Sequence, residues 1–386
     1  MKFRSVIAVL AISSLFAATL VSSSQAAGNP NCTEVDGDYI VTFTKGAVVS
    51  NEVKNINGKQ VNPKYLYSEA LNGFAGFLTG DQVCNLKKRG NVLSVEKDQE
   101  FSTQQQLTQS PVTWGLDRID QINKLDPKFK SYSYTSTGSG IDVYVIDTGI
   151  LSSHSEFAGR IKPGGNFVSD SRGTEDCNGH GTHVAGTVAG TTYGVAKNAS
   201  IIPVRVLNCR GSGFTSDIIA GINWIISNNS SATSIANMSL GGGASQLLDD
   251  AVSALIATGV TVVVAAGNSA ANACNYSPAR VGAAITVAAS DSSDRFASFS
   301  NFGNCVDIIA PGVSITSAWI SSRKCSANCL NTINGTSMAS PHVAGVVARL
   351  LSAGAANSVL TSATTGKFTG LPSGTPNRLL YIDPTK

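Results

Sequence analysis

The sequence predicts an α/β architecture: a mostly parallel central sheet with helices on both faces, preceded by a small α+β unit and an export segment. Three observations lead there. From about Gly140 onward, short apolar runs alternate with stretches of helical spacing. Between Gly28 and Gln106 the apolar residues come in alternating runs, as in a half-buried sheet. The chain opens with the basic, apolar, small-residue order of a secretory signal.

Met1 to Ala27 carries Lys2 and Arg4, an apolar stretch from Val6 to Val21, and small residues at Ser24 and Ala26 where a signal peptidase could cut. The stretch is short of the ~20 residues of a membrane span, and Ser13 and Ser14 interrupt it. No later run is long enough to span, so the expected product is secreted, with no membrane association after signal removal. The 386 residues leave room for two or three domains. Hydrophobic residues at 42% exclude a disordered chain, and a net charge of +3 is too slight for a nucleic-acid footprint.

The eight cysteines are an even count in an oxidising compartment, which favours disulfides. Cys325 and Cys329 sit in one loop, and Cys32 and Cys84 are alone in the N-terminal third, so local pairing is the simplest reading for both. Structural zinc is the rival, but no CxxC pair is present.

In the small unit, Tyr39 to Phe43, Gly73 to Phe77 and Val92 to Glu96 read as strands. Polar Ser102 to Gln106 follows, and Trp114 opens a new apolar pattern, which sets the boundary at 106/107. Beyond it the candidate strands are Ile141 to Ile146, Ser200 to Leu207, Ile235 to Leu240, Thr261 to Ala266 and Ala283 to Ala289. Ser216 to Asn228 and Gln246 to Thr258 carry helical spacing. In parallel sheets, ligand chemistry gathers at the carboxyl ends of the strands.

Asp147 ends the first of these apolar runs and is followed by a turn glycine, Gly149; a turn-forming Asp reads the same way. His180 lies between Gly179 and Gly181 at an expected helix start, three residues before His183. The pair could ligate a metal, although the zincin pattern needs a Glu that is missing between them. Ser337 follows Gly335 and precedes the apolar stretch Val343 to Leu351, the setting of an exposed nucleophile or of a simple N-cap.

Asp, His and Ser in that order, each in a glycine-rich segment, follow the subtilisin order. The chain resembles the subtilisin-like serine proteases, in particular the proteinase K group, through Val145-Ile-Asp147-Thr-Gly149, Asn178-Gly-His180-Gly-Thr-His183, Ser239-Leu-Gly-Gly242, Ala265-Ala-Gly-Asn268 and Gly335-Thr-Ser337-Met-Ala-Ser-Pro341. The resemblance implies a subtilisin-like three-layer fold and a broadly specific serine endopeptidase acting on proteins and peptides. It gives Asp147, His180 and Ser337 the roles of orienting acid, general base and nucleophile, and Asn268 that of oxyanion donor. It places the substrate strand between Ser239, Leu240, Gly241 and Gly242 on one side and Leu207 to Gly213, with Gly211, on the other. Ser239 to Gly241 and Ala265 to Gly267 wall the pocket for the residue before the cut. Neither wall carries a charge, so apolar or aromatic residues are expected there.

The resemblance also implies two disulfides, Cys177 with Cys209 and Cys274 with Cys305. No cofactor enters the chemistry, but structural calcium is implied at Asp307 with the carbonyls of Gly282 and Ala284, and at Asp117, Asp120, Gln121 and Asp126. Gly28 to Gln106 resembles an inhibitory propeptide, so the chain's own prosegment is expected to inhibit it until cleavage near Leu107. A monomer is expected. Two rival readings are a metal-dependent hydrolase using His180 and His183, and a catalytically inert binding protein of the same fold.

Overall fold

The computed structural model describes residues 33–69, 71–98, 106–124, 130–231, 233–320, 327–355 and 358–385. The signal segment, Cys32, Asp126 and Cys325 lie outside them. The chain divides into two compact units, Met1–Thr103 and Gln104–Lys386.

The small unit contains β1 (Gly37–Phe43), α1 (Val49–Glu52), β2 (Tyr65–Tyr67), β3 (Gly73–Leu78), α2 (Gly80–Lys87) and β4 (Val92–Lys97). Its strands form one antiparallel sheet in the order β2-β3-β1-β4. Alternation along β1 buries Tyr39, Val41 and Phe43 against Phe74 and Leu78 of β3 and Val83 and Leu86 of α2. Thr79 and Gln82 start α2 with a reciprocal capping box. Cys84 on α2 is disulfide-bonded.

The larger unit begins with β5 (Leu107–Gln109), α3 (Trp114–Ile119) and β6 (Tyr132–Tyr134), β5 and β6 pairing antiparallel. Then come β7 (Asp142–Asp147), β8 (Gly165–Asn166), α4 (His180–Ala189), β9 (Ser200–Arg205), α5 (Thr215–Asn228), β10 (Ser234–Met238), β11 (Gly242–Gly243), α6 (Gln246–Ala257) and β12 (Thr261–Ala265). The remainder is β13 (Tyr276–Ser277), β14 (Ile285–Ser290), β15 (Ile308–Pro311), β16 (Ile315–Ala318), β17 (Leu330–Ile333), α7 (Thr336–Ser352), α8 (Val359–Ser362), β18 (Thr364–Thr365) and β19 (Arg378–Leu379).

The central sheet runs β18-β19-β15-β14-β12-β10-β7-β9-β8 and is parallel except at β18/β19. Both faces are buried, which is why its strands read as continuous apolar runs. Val143, Val145 and Val263 join the core under α4 and α7. Tyr144, Ile146, Val262 and Val264 face the other way, toward α5 and α6. Helices α4 and α7 pack on each other, and each begins beyond the carboxyl ends of the strands, so the first turns of both meet at one edge of the sheet.

Several expected strands are shifted or shortened. β7 and β14 start one and two residues later than the apolar runs at Ile141 and Ala283, and β10 ends at Met238. Ile141 and Ala284 are buried although they lie outside the strands; apolar pattern reports burial, and buried connections share it.

Candidate active site

Asp147 is the last residue of β7 and is fully buried. Its carboxylate accepts the Thr148 N–H at 2.7 Å and lies 2.8 and 2.9 Å, by its two oxygens, from His180 Nδ1. A buried carboxylate on Nδ1 fixes the proton there and leaves Nε2 as the acceptor. Burial pushes the His180 pKa down, but the Asp147 charge and hydrogen bond push it up and prevail, so the net shift is upward; Asp176 adds to the rise.

The loop that presents His180 is organised by a carboxylate that sequence reasoning did not single out. Asp176, also buried, accepts the N–H groups of Asn178 (2.8 Å), Gly179 (2.9 Å) and Thr182 (3.0 Å) and the hydroxyls of Thr148 (2.9 Å) and Thr182 (2.6 Å). Thr148 Oγ1 in turn accepts the Gly181 N–H at 2.9 Å. Asp176 therefore joins the turn after Asp147 to the first turn of α4. Gly179 enters the helix at φ +109°, and a Cβ there would lie 2.4 Å from the Trp319 ring; both constraints call for glycine. Cys177 is bonded to Cys209, and Asn178 Nδ2 donates to the Cys209 carbonyl at 3.1 Å, tying this loop to the 208–213 loop.

Ser337 stands in the first turn of α7. Its hydroxyl donates to the Ser239 carbonyl at 3.1 Å, while Ser239 Oγ donates to the Ser337 carbonyl at 2.8 Å. A buried chain from Ser239 Oγ through Asn237 to Ser340 (2.9 and 2.7 Å) locks α7 to β10. Asn268 accepts both the N–H (2.8 Å) and the hydroxyl (3.0 Å) of Thr336 through Oδ1, which directs its Nδ2 away from them, on the side of Gly335. The Ser337 N–H belongs to the helix's first turn, where no intrahelical acceptor exists.

Two cavities share the wall Leu240 to Gly243. One, of about 230 Å³, is lined by Ala265, Gly267, Asn268 and Ser337; the other, of about 550 Å³, by His180, Ser239, Gly211 and the apolar Ile218 and Leu248.

The remaining site candidates fall elsewhere. His183 is fully buried and gives Nε2 to the Ile315 carbonyl at 3.0 Å, while His180 is occupied by Asp147, so the two histidines do not converge on a common point. Among the described residues no group of three His, Cys, Asp or Glu side chains could hold a metal ion. Asp117 accepts from Gln121 and the Ser131 N–H, Asp120 from the Ser133 N–H, and Asp307 from the Thr286 N–H. Among the described residues the buried Asp120 Oδ1 atom has no hydrogen-bond partner. Cys274 is bonded to Cys305, and Cys329 is disulfide-bonded, with the expected partners of Cys84 and Cys329 outside the described residues.

Comparison with known proteins gives the same frame. Residues 138–368 match the subtilase family and residues 38–104 the peptidase inhibitor I9 family. The chain is 50% identical over 323 residues to an extracellular serine proteinase of Thermus sp. (strain Rt41A), covering 82% of this chain and 77% of that one. It is 46% identical over 327 residues to alkaline serine exoprotease A of Vibrio alginolyticus, covering 82% and 59%. A cuticle-degrading serine protease of Arthrobotrys oligospora is 41% identical over 392 residues, covering 94% and 93%. The crystal structure of a cold adapted subtilisin-like serine proteinase superposes with a TM-score of 0.64 at 49% identity, covering 70% of this chain and 98% of that chain. Among the described residues no helix is long and apolar enough to cross a membrane. The chain belongs to the subtilase family: it is a serine protease with a subtilisin-like fold and an inhibitor prodomain of the I9 type.

Proposed function

We propose that the chain is a secreted, self-processing endopeptidase of broad specificity that prefers apolar or aromatic residues before the cut. In this reading residues 1–27 are the signal, 28–106 the inhibitory propeptide and 107–386 the peptidase, which acts as a monomer. The observation that carries it is the Asp147–His180 pair standing at the same sheet edge as Ser337 and the Asn268 amide, whose oxygen is occupied and whose nitrogen has no partner among the described residues.

An extended substrate adds as a strand between Leu240 to Gly242 and the 207–213 segment, with its carbonyl carbon at Ser337. The Ser337 hydroxyl turns from the Ser239 carbonyl to His180. As its proton passes to Nε2, Oγ bonds to the carbonyl carbon, and the π pair moves onto oxygen. Asn268 Nδ2–H and the Ser337 N–H then hold the oxyanion; in subtilisin one such donor is worth about 10²–10³ in kcat. His180 returns the proton to the leaving amine as the C–N bond breaks, and a water repeats the sequence to release the acid. Asp147 stays ionised and stabilises the imidazolium. No cofactor takes part. Among the described residues, none that line the cavity of about 230 Å³ beside Ser337 is charged, which suits an apolar or aromatic side chain.

Structural calcium fits two places in this reading. Asp307, half-buried and held by the Thr286 N–H beside the turn that carries the Gly282 and Ala284 carbonyls, offers hard oxygen donors. Asp117, Asp120 and Gln121, with Asp126, are the second set, where the unpartnered Asp120 Oδ1 suits a cation. Bound there, calcium would hold surface loops and take no part in catalysis.

The experiment is Ser337→Ala, expressed with its prosegment in a protease-deficient host. The expected protein folds, does not hydrolyse casein, and keeps the prosegment attached. A purified variant with casein activity would refute the mechanism. A variant that still begins near Leu107 would mean another protease does the cutting.

A further inference from the structure

The two cavities of the cleft are lined by backbone, hydroxyl and apolar groups, with one permanently charged side chain, Arg210, among the described residues that line them. No described residue gives its guanidinium a hydrogen bond or an ion pair; only its backbone N–H is engaged, by Asn208 Oδ1 at 2.9 Å. The loop that carries it is held firmly. Asn208 Oδ1 also accepts the Ser212 N–H, the Gly211 N–H donates to the Asn208 carbonyl, and the Cys177–Cys209 bridge anchors the base. A Cβ on Gly211 would lie 3.4 Å from Asn178 Nδ2, so the tip of this loop abuts the segment that leads into His180.

A strand alternates its side chains between two faces. If the residue before the cut fills the small cavity beside Ser337, the next residue upstream turns to the opposite side. It then meets the part of the large cavity formed by His180, Asn178 and Arg210. The fourth residue upstream falls on the same side, further along, toward Leu240, Ile218 and Leu248. We infer that Arg210 makes the enzyme favour an acidic side chain, and disfavour Lys or Arg, at the second residue before the cut. This inference rests on the endopeptidase reading and narrows its broad specificity by one position. The pair forms at an open, solvated edge, so the discrimination is moderate, about 3- to 20-fold between Glu and Lys, and salt weakens it.

The test uses mature wild type, Arg210→Gln and Arg210→Glu, with active sites counted by fluorophosphonate titration. Substrates are chromogenic peptides with Phe before the cut and Glu, Gln or Lys preceding it. The expected order of kcat/KM in wild type is Glu, Gln, Lys. The spread, taken for each enzyme relative to its own rate on the Gln peptide, should shrink in high salt and in Arg210→Gln and reverse in Arg210→Glu. The uncharged Ser102 to Gln106 junction means the variants should mature as the wild type does. Equal rates on all three peptides, or a spread that survives in Arg210→Gln, overturns the inference and leaves the endopeptidase reading intact. Failure of wild type to cleave the Gln peptide refutes that reading, and the inference with it.

Discussion

Replacing Asp176 by Asn tests whether the buried carboxylate behind His180 positions and tunes this proposed catalytic base. The carboxylate accepts five hydrogen bonds. An Asn can keep Oδ1 on the three donors at Thr148, Asn178 and Gly179, but its NH₂ then faces the Thr182 N–H, which loses its acceptor. Leaving one buried donor unsatisfied costs about 1–3 kcal/mol, which lowers Tm by several degrees in a unit of this size. A misplaced first turn of α4 lowers kcat, by about tenfold for each ~1.4 kcal/mol carried into the transition state. The pH effect has a definite sign. Asp176 is one of the anions that raise the His180 pKa, and the proposed mechanism needs the imidazole neutral. Removing the charge makes the imidazolium less stable, so the acidic limb of kcat/KM moves to lower pH. Thr182→Val is the control: it removes the 2.6 Å hydroxyl bond but keeps the charge, and should lower kcat without moving the limb. Measuring kcat/KM on one peptide from pH 4 to 9 settles the matter. An Asp176→Asn limb that stays in place, or moves to higher pH, refutes the electrostatic part of the reasoning.

Acid should unfold the enzyme through two other histidines. His183 and His342 are completely enclosed, and burial above all lowers their pKa values to about 4, against ~6.5 in an unfolded chain. The unfolded state binds more protons between these values, so stability holds above pH 6.5 and falls toward pH 4, by about 3 kcal/mol per histidine. Melting of fluorophosphonate-blocked enzyme across that range should show it, with a shallower decline in His342→Gln. Reductant should lower Tm more than room-temperature activity. The Cys177–Cys209 and Cys274–Cys305 bridges span 32 and 31 residues, each worth about 3–4 kcal/mol in the chain-entropy account. A Tm that does not change on verified reduction contradicts this.

Much of the site was legible because its parts sit in short, glycine-marked motifs at strand ends: Asp147, His180, Asn268 and Ser337 each follow an apolar run or precede one. What the sequence did not disclose depends on which way a side chain turns. Asp176 and Glu175 are adjacent carboxylates, yet only Asp176 points inward, a choice made by the packing of α4 against the turn at Thr148. The Asn237–Ser340 bond joins residues 103 positions apart, with no local signal at either end. The resting Ser337 hydroxyl, bonded to Ser239, is equally invisible in the motif. In the fold, element types were readable from periodicity, but the starts of β7 and β14 were not, because Ile141 and Ala284 are as buried as the strands they precede.

Ser337 is the proposed nucleophile of a serine endopeptidase. Mature enzyme treated with a fluorophosphonate and digested to peptides provides the most direct test, read beside casein hydrolysis. The expected result is one label per active molecule, on the peptide containing Ser337, with casein activity falling in proportion. Full activity in labelled enzyme, or complete inactivation with the label on another residue and Ser337 unmodified, would contradict it.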